Sequence, residues 1–168
     1  MAVIEAIATT YLEADAASVT FSGIPATYEH LQLRCSIRTS STNRASVTLV
    51  FNTDTGTNYT SHRMLGTASS VSSGSWSGLA GLMGVEGTGG DSTAADYGVV
   101  VADILDYANT NKNTTCQFIS GAKIATGADL FFHAGLWDAT AAVHTITLDG
   151  SYNSLRGSEF TLYGLNSA

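Results

Sequence analysis

The chain has 168 residues and a mass of 17.4 kDa, about one domain's length; 44% apolar residues can fill a core, and only 12% charged residues exclude a solvated disordered tail. Seven Lys plus Arg against fourteen Asp plus Glu give a net charge of −7 and a pI near 4.7, the reverse of the basic surface that a phosphate backbone requires, so nucleic acid is not an expected partner. No apolar run approaches the roughly 20 residues of a membrane-spanning helix, and the opening Met1-Ala2-Val3-Ile4-Glu5 lacks the basic region and long apolar stretch of an export signal, so no membrane is expected and folding in the cytoplasm is.

Ser and Thr make up about a quarter of the residues, and β-branched residues recur at alternate positions, which is strand-rich texture. In chain order, the opening segment fits alternation through Val3, Glu5, Ile7 and Thr9 and is read as a strand, although Ile4, Ile7, Ala8, Tyr11 and Leu12 also fit a helical stripe. A strand is expected at 17–21. In 28–39, Leu31, Leu33, Cys35 and Ile37 point one way and Gln32, Arg34 and Ser36 the other, the pattern of a half-buried strand. Val47, Leu49 and Phe51 alternate in the same manner before the turn composition Asp54-Thr55-Gly56-Thr57-Asn58. Further strands are expected at 97–105, 114–120, 129–137, 143–148 and 159–163, making about nine. With a single Pro25 and no alternating helical pattern, the expected fold is all-β: one antiparallel β-sandwich over residues 1–168, jelly-roll-like. Missing crossover helices exclude a parallel α/β fold.

Residues 66–91 break the pattern. The stretch is rich in Gly and Ser and is read as one long loop, yet it carries Trp76, Leu79, Leu82 and Met83. Two readings stand: the loop caps an open end of the sandwich, or it reaches a neighbouring molecule. On the second, Trp76, Leu79, Leu82 and Met83 are interface anchors, with Arg63, Glu86 and Asp91 setting register at the rim.

No catalytic motif emerges. Gly74-Ser75-Trp76-Ser77-Gly78 has Trp where a nucleophile elbow needs Ser, and Gly84, Gly87, Gly89 and Gly90 match neither a dinucleotide fingerprint nor a P-loop. His30, His62, His133 and His144 are scattered at spacings that no local metal motif uses. Asp103, Asp106, Asn109, Asn111 and Asn113 offer oxygen atoms, but their spacing suits an Asn-rich hairpin turn rather than a calcium loop. The acids are spread one per strand end. No catalytic, cofactor or metal site is therefore expected, and the chain reads as a non-enzyme. Cys35 and Cys116 lie in phase with buried neighbours and read as small hydrophobes; a bridge between them requires their strands to face each other.

Several phrases occur together: Ser18-Val19-Thr20-Phe21-Ser22-Gly23-Ile24-Pro25, Tyr28-Glu29-His30-Leu31-Gln32-Leu33-Arg34, and Phe51-Asn52-Thr53-Asp54-Thr55-Gly56-Thr57-Asn58-Tyr59. Gly135-Leu136-Trp137, Ala141-Ala142-Val143, Ile146-Thr147-Leu148 and Phe160-Thr161-Leu162-Tyr163-Gly164-Leu165 follow. Across most of its length the chain resembles small virion structural proteins of tailed bacteriophages, often of marine and cyanobacterial hosts. The resemblance implies a non-enzymatic virion component assembled in the host cytoplasm, with the major capsid protein or other virion proteins as partners. A capsid decoration or cement protein fits better than a tail or fibre part, since the chain has no heptad shaft and no second module. The resemblance further implies a homo-oligomer, a trimer at a capsid axis. The alternative, a tail or fibre module that binds receptor carbohydrate, would use aromatic platforms from Tyr59, Trp76, Tyr97 or Trp137.

Overall fold

The computed structural model describes residues 3–90, 93, 95–125 and 127–167. Among them are twelve strands and no helix: β1 (Ile4–Tyr11), β2 (Ala16–Ser22), β3 (His30–Ile37), β4 (Ala45–Phe51), β5 (Tyr59–Gly66), β6 (Val71–Leu79), β7 (Leu82–Gly87), β8 (Gly98–Leu105), β9 (Thr114–Ile124), β10 (Gly127–Trp137), β11 (Thr145–Ser154) and β12 (Glu159–Leu165). Every strand pairing is antiparallel. An eight-stranded sheet runs β1-β12-β3-β8-β9-β10-β5-β6, and a four-stranded sheet runs β2-β11-β4-β7.

The two sheets share one core. Val19 and Phe21 of β2, Leu49 and Phe51 of β4, and Ile146 and Leu148 of β11 pack in one cluster with Leu31 and Leu33 of β3, Val100 and Ile104 of β8, Phe118 of β9 and Phe160 of β12. In β3 the alternation forecast from sequence holds residue by residue, Leu31, Leu33, Cys35 and Ile37 being buried and Arg34 and Ser36 exposed. β1 is a strand as well. Its register against β12 shifts between Ala6 and Ala8, a bulge in the pairing.

Two expectations are corrected. Each of the nine anticipated strands has a counterpart, but β5, β6 and β7 were missed, and residues 66–91 are not one long loop because two of those strands lie within them. β6 is an edge strand whose centre is Ser72-Ser73-Gly74-Ser75, with Val71, Trp76 and Leu79 too far apart to give an apolar alternation. β7 is covered on both faces, and its Gly84 and Gly87 look like loop glycines although each is required by packing: a Cβ at Gly84 would stand 2.5 Å from the Phe118 ring, and one at Gly87 would stand 2.6 Å from the Thr39 methyl.

Candidate functional site

The sequence-derived interface residues are divided by the fold into an outer and an inner set. Trp76 on β6 is half-buried beneath the Arg63 guanidinium of β5, which lies 5.0 Å from its ring centre. Gly74 opposes Arg63 in register, and the Trp76 ring fills the space that a side chain at Gly74 would need. Leu79 packs against the edge of the core, and Met83 is half-buried with its amide donating to Ser61 Oγ at 3.1 Å. Leu82 and Glu86 face inward instead, at 0% and 3% exposure, so in the isolated chain neither the expected anchor Leu82 nor the expected rim residue Glu86 presents its side chain to solvent. Asp91 lies outside the described residues.

Glu86 belongs to a buried group of charges between the sheets. Its Oε1 lies 3.6 Å from His133 Nε2 on β10, and burial raises its pKa while the Arg63 and Arg44 guanidiniums oppose the rise. His133 is fully buried, stacked beside Phe131 with ring centres 6.1 Å apart and edge-on to Phe118. Burial, then the nearby Arg63, pushes its pKa down to about 4. Arg44 reaches the buried Asp129 carboxylate at 2.5 Å and covers the Phe131 ring. This is charge pairing in an interior, and two guanidiniums in the group oppose cation binding.

The other candidate groups have local structural tasks. His30 Nδ1 accepts the Asp106 amide at 3.0 Å, His62 Nε2 meets Ser75 Oγ at 3.0 Å, and His144 Nδ1 meets Thr145 Oγ1 at 3.1 Å. The Asp- and Asn-rich segment forms the β8–β9 turn: Asp106 pairs with Lys112, Asn109 Oδ1 accepts the Asn111 amide, and Asn113 bonds Asp138. Among the described residues, no group of three or more His, Cys, Asp or Glu is placed to hold a metal ion. Both cysteines are free and buried, and β8 separates their strands, so they do not face each other. Of the four aromatic platform candidates, Tyr59 and Trp137 are core residues and Tyr97 donates its hydroxyl to the Arg156 carbonyl.

Sequence reading missed the outward face of the eight-stranded sheet. Ile119, Phe132 and Met64 align across β9, β10 and β5, while Gly121, Leu130 and Gly66 form the adjacent row. Val99 on β8 and Val71 on β6 extend the second row on either side. Two shallow hollows of about 250 Å³ flank the band, one including Leu105, Gln117 and Phe132, the other Arg34, Val99 and Tyr163. The available signal was apolar residues in both phases of one strand, as in Val99-Val100-Val101 and Leu130-Phe131-Phe132.

The fold and these sites define an all-β, two-sheet protein with a buried charge cluster and an apolar band on the outward face of one sheet. Comparison with protein-family models and with curated proteins returned no match.

Proposed function

We propose that the chain is a non-enzymatic structural protein of a tailed-phage virion, a capsid decoration or cement protein that binds the outer head surface and stabilises the shell. The observation that carries this reading is that the phrases underlying the resemblance are scaffold. Phe51-Asn52-Thr53-Asp54-Thr55-Gly56-Thr57-Asn58-Tyr59 closes β4 onto β5, its Asn52 side chain holding the His144 amide at 2.9 Å and its Asp54 carboxylate holding the Trp137 indole. The other phrases fall on β2, β3, β10, β11 and β12 and the turns beside them. A likeness confined to scaffold accords with a role in architecture.

A jelly-roll-like wind is part of the proposal. The chain passes between sheets at each step from β2 to β5, returns through β7 to β8, and again from β10 through β11 to β12. Partners on this reading are the major capsid protein or other virion proteins, with copies of the chain around a capsid axis, a trimer by the resemblance. Trp76, Leu79 and Arg63 at the β5–β6 edge, with Met83 at the start of β7 beside them, are the docking residues, while Leu82 and Glu86 fix β7 behind them.

The test is electron cryo-microscopy of particles lacking the native protein after addition of labelled chain, wild type beside Trp76→Ser/Met83→Ser. Density over the head that falls in the variant, with its circular dichroism unchanged, supports the proposal. Label confined to the tail favours the receptor-binding alternative, and absence of label from the particle removes both.

A further inference from the structure

The two outward faces of the protein differ in chemistry. On the four-stranded sheet, β2 and β11 present Ser18, Thr20 and Thr147, with the Thr20 and Thr147 hydroxyls hydrogen-bonded to each other at 3.1 Å. On the eight-stranded sheet, Met64, Val71, Val99, Ile119, Leu130 and Phe132 lie side by side at 41 to 74% exposure. A composition rich in Ser and Thr had polar residues to place there, so the apolar band is a local property of that face.

We propose that this band is the contact surface for a second copy of the chain, packed face to face about a two-fold axis. Area is the first argument. The two apolar rows span five neighbouring strands and about four residues along each, a footprint of about 24 by 13 Å, and one flanking polar row on either side widens it to about 24 by 26 Å, roughly 600 Å². That widened footprint approaches the ~800 Å² of accessible surface that each partner contributes to a stable interface.

Shape is the second argument. Leu130, 60% exposed, stands between Gly121 on β9 and Gly66 on β5, which leave a depression on each side of it. A two-fold rotation beside Leu130 sets each copy's leucine into the other's glycine depression, the self-complementarity an isologous contact demands. Charge is the third. Outward positions from Thr115 to Gly121 on β9, Leu130 to Leu136 on β10 and Thr60 to Gly66 on β5 include no Asp, Glu, Lys or Arg, and at the margins Asp103 on β8 is bonded to Gln32 and Gln117 and Lys123 on β9 to Asp96, so the charges there already have partners. Two copies, each of net charge −7, therefore meet there without burying an unpaired ion.

The proposal is independent of the virion reading, because it concerns the chain alone in solution. The experiment is sedimentation velocity up to about 100 μM on wild type, Leu130→Lys and Thr20→Lys, the last lying on the opposite face; circular dichroism checks each fold. A wild-type dimer, at least a 100-fold weaker association for Leu130→Lys and none lost for Thr20→Lys support the contact. A monomeric wild type, a dimer that Leu130→Lys leaves intact, or a trimer insensitive to Leu130→Lys overturns it.

Discussion

The Trp137 indole N–H donates to Asp54 Oδ2 at 2.8 Å, joining the turn after β4 to a tryptophan at the end of β10 that is 2% exposed. The same carboxylate takes the Asn58 side-chain amide at 2.8 Å and the Gly56 backbone amide at 2.9 Å. Beside it, the buried Tyr59 hydroxyl donates to the Asp54 carbonyl at 3.0 Å, and its ring stacks on Trp137 with centroids 6.1 Å apart. One turn thus orders the largest aromatic group of the core.

Asp54→Ala is expected to cost about 1–3 kcal/mol, since a buried indole donor is left without a partner, whereas Asp54→Asn keeps an acceptor and costs less. Urea unfolding followed by Trp fluorescence measures both. The hydrogen bonds from Asn58, Trp137 and Gly56 hold the Asp54 carboxyl below its ordinary 3.8. Its contribution is complete above that value and lost as pH falls through the lower folded one. The wild-type advantage over Asp54→Ala should therefore shrink only in strong acid.

His133 supplies a second pH response. Its folded pKa of about 4 lies below the ordinary 6.5, so the native state refuses a proton that the unfolded chain accepts. Stability linked to it is complete above about pH 6.5 and falls as pH drops toward 4, by up to about 1.4 kcal/mol per pH unit. Glu86, raised by burial, acts in the opposite sense and favours the fold as it takes up a proton. His133→Phe removes the histidine response alone. Between pH 6.5 and 4 the variant should gain on wild type by that slope in urea titrations; parallel curves would show that His133 is not held neutral.

Both thiols are buried in apolar surroundings, which pushes their pKa values up and leaves them unreactive. Cys35→Ser and Cys116→Ser should each cost about 1–3 kcal/mol by burying a hydroxyl. Reductant should leave the wild-type melting temperature unchanged, and thiol labelling should require denaturant. A drop in melting temperature on reduction would mean that a disulfide forms.

The packing of β7 can be tested at Gly84, whose φ of +152° disfavours a side chain and whose Cβ would meet Phe118. Gly84→Ala should cost about 3 kcal/mol or more, with part of the loss recovered by Phe118→Leu in the same chain. A neutral Gly84→Ala would mean that β7 is a detachable flap.

The all-β class and the places of nine strands are legible in the residues alone, because a strand with one buried face writes its exposure into alternate residues such as Leu31, Leu33, Cys35 and Ile37. The remaining elements depend on contacts between strands. β7 is recognisable only once Phe118 and Thr39 occupy the space above its glycines, and β6 only once β5 pairs with it. Glu86 reads as a surface acid until β7 turns it toward His133, which is 47 residues away in the chain. The apolar outward band likewise exists only across strands: Ile119, Phe132 and Met64 are isolated residues in sequence and become one row through the register of β9, β10 and β5. Periodicity records what a strand does with its own two faces, whereas contacts between strands depend on pairing that no local stretch of sequence encodes.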